Sequence, residues 1–172
     1  SYLGVAAYGL IPLAMVFTEY VNIIGRSFNT STLRFLSIEL NKGDEKSVKE
    51  VFSTSVAVVV MIFLLQTIIF SVLLNNLNNL LSVPEGFLSD AVWLFLLTFV
   101  GVFFSMFASV FEVSMYARNR LDLIQRNHLV YTASRVLVVI TSFSVFGPKL
   151  AYVGLGSLVG SLLLFILSLW RW

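Results

Sequence analysis

Cysteine is absent from the 172 residues, so no disulfide framework, thiolate nucleophile or cysteine-based metal site is available. Charge is scarce as well. Asp, Glu, Lys and Arg make up 12% of the chain, against roughly 25% in a soluble domain, while hydrophobic residues reach 58% and mean hydropathy is +0.93. That balance excludes a water-soluble fold. No paired Asp or Glu motif stands in or beside the apolar stretches, which removes the carboxylate cluster a membrane-embedded transferase needs for metal or acid–base work. The expectation is a chain that is not an enzyme, with no catalytic residue, no metal ligand and no cofactor. The net charge of +2 and pI near 9.0 do not signal nucleic acid, because the basic residues sit at the ends of apolar runs rather than in a patch interleaved with aromatics. The 16 Phe residues are read as lipid-facing surface and packing.

What the sequence has in abundance is long apolar runs. Five of them, at about 2–24, 51–74, 91–114, 129–146 and 150–170, each approach the ~20 residues that cross a ~30 Å hydrocarbon core. Lipid offers no partner to a free backbone group, and runs of this length without period-2 alternation exclude a barrel, so all five are expected to be helices. The predicted fold is all-α, a single transmembrane helical bundle over residues 1–172. The chain opens at Ser1 inside an apolar run with no initiator Met and no basic leader, so no signal peptide is expected and the bundle is expected to be incomplete at both ends.

Lys and Arg set the orientation. Arg26, Arg34, Lys42, Lys46 and Lys49 follow the first run, Arg118, Arg120 and Arg126 follow the third, and Arg171 closes the fifth. Lys149 alone faces the other way, beside Glu85 and Asp90. Nine of the eleven basic residues thus mark the cytoplasmic side. The first span is expected to run from outside to inside, and the fragment to end in the cytoplasm at an interfacial anchor of Trp170, Arg171 and Trp172. Gly43-Asp44 predicts a turn, with Asp44 or Ser47 capping the next helix. Asn75 to Gly86 predicts a frayed helix end and a turn, and Gly147-Pro148 a tight helical hairpin. Pro12 predicts a kink through a lost helical hydrogen bond.

Charges near or inside the runs need partners or a wet cavity. If the first helix continues past Gly25, Glu19, Asn22, Arg26 and Thr30 recur every three or four residues and share one sector, which Arg34 and Ser37 extend. That stripe is a candidate lining for a hydrophilic cavity, in which guanidinium groups hold phosphate oxygens by forked hydrogen bonds. Arg26 equally suits snorkelling to the interface. Arg135, about six residues into the fourth run, either contacts a ligand or forms a structural pair with Glu112. His128 is expected to be a solvated or capping side chain at the interface. Gly156 and Gly160 form a GxxxG pair, and Gly101, Ser105 and Ser109 repeat every four residues, both signs of close helix packing. Asn29-Thr30-Ser31 matches a glycosylation sequon, but its expected cytoplasmic position makes the match accidental.

Leu3-Gly4 and Tyr8-Gly9, then Asn29-Thr30-Ser31-Thr32-Leu33-Arg34-Phe35-Leu36, Glu39-Leu40 and Gly43-Asp44, resemble bacterial polysaccharide or O-antigen flippases of the multidrug/oligosaccharidyl-lipid/polysaccharide exporter superfamily. Phe52-Ser53-Thr54-Ser55 and Tyr116-Ala117-Arg118-Asn119 extend the resemblance over most of the chain. It implies a two-lobed transporter of 12 to 14 helices, of which this fragment holds the second to sixth. It further implies a bacterial inner membrane, a missing C-terminal lobe, and export of undecaprenyl-pyrophosphate-linked oligosaccharide by alternating access around a cationic cavity. Arg34 matches a family arginine and is the carried-over candidate for pyrophosphate attraction; Arg26, Arg135, Glu19 and Asn22 rest on depth and spacing. The rival readings are a cation-coupled multidrug exporter of the same superfamily, whose cavity would hold more acid than base, and a structural membrane subunit with every embedded charge paired.

Overall fold

A computed structural model of the chain describes residues 9–77 and 86–171; the side chains at 21, 24–27 and 29 also lie outside the described set. Five long helices account for almost all of it: α1 (Leu10–Lys42), α2 (Glu45–Asn75), α3 (Leu88–Ala117), α4 (Leu121–Phe146) and α5 (Leu150–Trp170). No strand occurs among the described residues. The expected all-α bundle is what forms.

Four of the helices, α2 to α5, are long and apolar enough to cross a membrane, while α1 contributes a shorter apolar stretch, Leu10–Tyr20. The rest of the first expected span, residues 2–8, lies outside the described residues. Helix α1 also corrects the expected connection after residue 24, because helix continues to Lys42 and carries Arg34 and Lys42 with it. Pro12 is corrected too. Since α1 starts at Leu10, Pro12 stands in its first turn, where an amide has no intrahelical acceptor to lose.

The turns explain why the helices stop where they do. Gly43 takes φ 73°, its amide donates to the Leu40 carbonyl at 3.2 Å and the Asp44 amide donates to the Glu39 carbonyl at 3.3 Å. Those two bonds complete a Schellman cap on α1. Asp44 then begins α2, its carboxylate accepting from the amides of Lys46 and Ser47 and from the Ser47 hydroxyl at 2.7 Å. Two residues thus turn the chain, as Gly43-Asp44 predicts, and Asp44 rather than Ser47 is the cap. Asn119 repeats the device between α3 and α4, with φ 55° and bonds from Asn119 and Arg120 to the Tyr116 and Met115 carbonyls. Gly147, at φ 80°, opens the expected hairpin between α4 and α5. Asn75 ends α2, and most of the next expected turn falls at 78–85, outside the described residues.

Contacts fix the helix directions. Leu10 and Ala14 of α1 share a core with Leu94 of α3 and Leu150 of α5, so these three helices run parallel, while Phe70 near the far end of α2 joins the same core and runs against them. Helix α3 is central. It packs against α5 through small residues: a Cβ added to Gly154 would lie 2.8 Å from the Leu94 carbonyl oxygen, and one added to Gly101 would lie 3.1 Å from Ser161 Oγ. On its other side a run of phenylalanines joins α1, α2, α3 and α5, through Phe17–Phe70, Phe70–Phe99 stacked at 4.0 Å, Phe63–Phe103 at 4.4 Å and Phe111–Phe165 at 5.9 Å. These rings serve packing, while Phe35 and Phe146 face outward with Met61, Ile68, Leu129, Leu137 and Val145.

Candidate functional site

Helices α1 and α4 flank a groove floored by α3 and α5. It holds two adjoining cavities, of about 180 Å³ and about 540 Å³, which share Glu19, Asn22, Ser105 and Tyr131 in their walls. The smaller is closed by Thr98, Gly101, Arg135, Ser157 and Ser161, and the larger by Thr30, Leu33, Ser109, Glu112, Tyr116 and His128 among others. Polar side chains thus line a space between helices that are otherwise apolar.

The groove stays open where small residues bring other surfaces together. Gly156 and Gly160 seat α5 against the backbone of α4: a Cβ on Gly156 would lie 2.9 Å from the Arg135 carbonyl oxygen, and one on Gly160 3.0 Å from that of Tyr131. The expected GxxxG contact is therefore made within this chain, and it holds the backbone of Tyr131 and Arg135 while their side chains reach the cavities. The α3 stripe divides: Gly101 packs on α5, while Ser105 and Ser109 floor the groove.

Several lining hydroxyls spend their hydrogens on their own helices. Thr98 donates to the Leu94 carbonyl at 2.7 Å, Ser109 to Met106 at 2.6 Å, Ser157 to Val153 at 3.1 Å and Ser161 to Ser157 at 2.8 Å. Lone pairs are what remain to face the cavity. Donors come from Arg135, which is partly exposed and makes no hydrogen bond or ion pair with any described residue. Because α4 begins at Leu121 rather than near 129, Arg135 stands near the middle of the helix, about 21 Å from its start at 1.5 Å per residue.

The expected Arg135–Glu112 pair is not formed. Glu112, 6% exposed, has His128 Nε2 at 3.3 Å from its Oε1, and the Ser168 hydroxyl donates to the same oxygen at 3.5 Å. His128 lies seven residues, about 10 Å of helix, before Arg135, level with Glu112 on α3. Its side chain is exposed, as expected at the interface, and it also stands within ion-pair distance of Glu112. The same network continues through fully buried Asn127, which donates to Ser168 Oγ at 3.4 Å and accepts from Arg171 Nη1 at 2.6 Å. Arg171 also donates to the Leu123 carbonyl, so the expected interfacial anchor is tied back onto α4. Asn127 and Ser168 carry no sequence signal, being 41 residues apart and meeting only in the fold.

Of the expected site residues, Glu19, Asn22 and Arg135 come together on the smaller cavity. Arg34 does not join them; it is exposed on α1 and lines neither cavity, although its neighbour Leu33 and Thr30 do. Arg26 falls on the sector of Glu19 and Thr30 by its place in the helix, and its side chain lies outside the described residues. The charged groups of the described lining are two carboxylates, one guanidinium and one imidazole.

The helices alone point to a bilayer, and one comparison agrees with them. Over 166 residues, 96% of its length, the chain is 25% identical to "Uncharacterized membrane protein EpsK" of Bacillus subtilis (strain 168). The chain is a membrane protein. It spans 33% of that relative's length. No family model matches the chain, and no solved structure matches it.

Proposed function

We propose that this membrane protein is part of a transporter that carries undecaprenyl-pyrophosphate-linked oligosaccharide from the inner to the outer leaflet of a bacterial inner membrane, with no catalytic step of its own. The observation that carries the reading is the polar groove, with a guanidinium at mid-helix that no described residue pairs with. A lone embedded arginine is costly unless it faces water or a ligand, and its forked donors suit the oxygens of a phosphate. Lone pairs of Thr98, Ser109, Ser157 and Ser161 accept from sugar hydroxyls along the same wall. The resemblance of the α1 segment around Arg34 to lipid-linked oligosaccharide flippases supplies the cargo class, the second lobe and the rocking of two lobes that would expose the groove to each leaflet in turn. Arg34, exposed beside Leu33, would attract the pyrophosphate toward the larger cavity.

The test uses the full-length protein. A strain lacking the gene should accumulate lipid-linked oligosaccharide and lose surface polysaccharide, and Arg135→Ala should fail to restore either at normal membrane abundance. Full restoration by Arg135→Ala would remove the anion role. Glu19 and Glu112 in the lining give a second reading some support, a cation-coupled exporter of cationic drugs. That reading expects unchanged lipid-linked sugars and a loss of resistance to cationic dyes in the same strain.

A further inference from the structure

The lining contains a pair of titratable groups that cargo recognition does not use. Glu112 sits on α3 five residues before its end, about 8 Å along the helix, so it lies where a ~45 Å helix leaves a ~30 Å hydrocarbon core. Its carboxylate is buried, yet the larger cavity reaches it, and its partner His128 has a side chain 47% exposed. A buried carboxylate is costly unless it is paired or neutralised, because it loses its hydration. His128 Nε2 and the Ser168 hydroxyl converge on one of its oxygens, and of the two only the imidazole can change its charge between about pH 5 and about pH 8.

We propose that Glu112 and His128 form a proton-binding site in the wall of the groove, loaded from water in the larger cavity. With one ring proton, His128 donates from Nε2 to the Glu112 carboxylate and the pair carries one negative charge. A hydronium ion in the cavity gives its proton to Nδ1, leaving water behind, and the pair becomes neutral overall as an imidazolium bound to a carboxylate. Nothing else need be made or broken. Glu19 on α1, Tyr116 of α3 and Tyr131 of α4 face the same cavity, and Arg171, at the end of α5, is linked to the pair through Asn127 and Ser168.

The site also holds helices together. Among the described residues, Glu112–His128 is the polar side-chain link between α3 and α4, which is otherwise seated on α5 through Gly156 and Gly160. Charging the imidazole strengthens that link, so the proton controls how firmly the first half of α4 closes on the groove. Calling this coupling rests on the transport reading; the binding of the proton does not.

Infrared difference spectra of the purified full-length protein, between about pH 8 and about pH 5.5, test the site directly. The wild type should show imidazole protonation together with a perturbed carboxylate band. Glu112→Gln should remove the carboxylate change, and His128→Gln, whose amide keeps a donor toward Glu112, should remove both. A carboxylate change that survives in His128→Gln, or is missing in the wild type, overturns the site. If Glu112→Gln does not fold, His128→Gln decides alone. In proteoliposomes, with lipid-linked oligosaccharide as cargo, a pH gradient should accelerate wild-type export several-fold and leave His128→Gln unchanged; equal acceleration of both overturns the coupling role. Loss of the transport reading itself would show instead as normal export by Arg135→Ala.

Discussion

The two sides of α4 solve opposite problems with the same residues. Toward α5, Tyr131 and Arg135 present their carbonyls, with the edge of the Tyr131 ring and the Arg135 Cγ beside them, and Gly156 and Gly160 come close enough that a Cβ would meet a carbonyl at 3.0 Å or less. Toward α1, the side chains of the same two residues line about 180 Å³ of polar space. The difference teaches where polarity can be tolerated among apolar helices. Lipid tails are as apolar as leucine, so burial of apolar surface does not drive these helices together; close packing and hydrogen bonds do. A tight glycine seam on one face allows an embedded charge on the other.

The sharpest way to break that comparison is to fill the seam. Gly156→Leu in the full-length protein should be the most damaging change. Its side chain would have to displace the α4 backbone at Arg135 as well as Val139, costing about 3 kcal/mol, the upper end of the scale for overpacked cores. We expect loss of folded protein from the membrane, read as abundance and as the thermal unfolding midpoint. A Gly156→Leu protein with wild-type abundance and midpoint would mean that the seam is looser than described.

Changes on the open face should spare the fold and strike the function. Arg135→Gln removes a charge that no described residue pairs with, so the unfolding midpoint should stay within error. Cargo affinity should fall about 10- to 100-fold, the equivalent of the ~1.5 to 3 kcal/mol of hydrogen bonding to a charged group. Binding of lipid-linked oligosaccharide to the purified protein measures the loss directly. Arg34→Ala, at an exposed position outside both cavities, should slow export less than Arg135→Gln. If Arg34→Ala proves the more damaging, anion attraction lies on α1 beyond the groove.

The same contrast explains what the sequence could and could not disclose. Lipid imposes a simple rule on each helix, so the apolar runs, the glycine pair and the turn at Gly43-Asp44 are legible one segment at a time. The Glu112–Arg135 pairing fails for a specific reason. The apolar run marks α4 only from about 129, whereas the helix starts at Leu121 and brings His128, not Arg135, level with Glu112. Polar residues such as Asp122 and Asn127 hide that first part of α4 from a hydropathy pattern. The link from Asn127 through Ser168 to Glu112 depends on three helices meeting, which no local spacing encodes. On α1, by contrast, the three- and four-residue steps do place Glu19, Asn22 and Thr30 on one groove-facing sector, because periodicity within a single helix is local.

That buried polar link gives a milder test. Asn127→Ala breaks the donor to Ser168 and the acceptor for Arg171, and interhelical hydrogen bonds in membranes average about 0.6 kcal/mol each. The expected loss is thus on the order of 1 kcal/mol, a downward shift of the unfolding midpoint of a few degrees. A far larger loss would mean that the network, rather than the glycine seam, holds α4 to α5.

The smallest effect should come from Asp44, at the turn farthest from this contrast. Hydrogen bonds from the Ser47 hydroxyl and amide hold its carboxyl below the ordinary aspartate range. A depressed carboxyl contributes stability above its unfolded value and loses it as pH falls through the folded one. At neutral pH the cap is therefore fully in place, and acidification into the carboxylate range should weaken it. Asp44→Ala should lower the unfolding midpoint slightly at pH 7 and hardly at all once the carboxyl is protonated, whereas Asp44→Asn, which still caps, should lose less. The polar groove should not register either change, since the Schellman bonds at Gly43 still end α1. A change in cargo binding with Asp44→Ala would show that the α1–α2 turn is mechanically tied to the groove wall through α1.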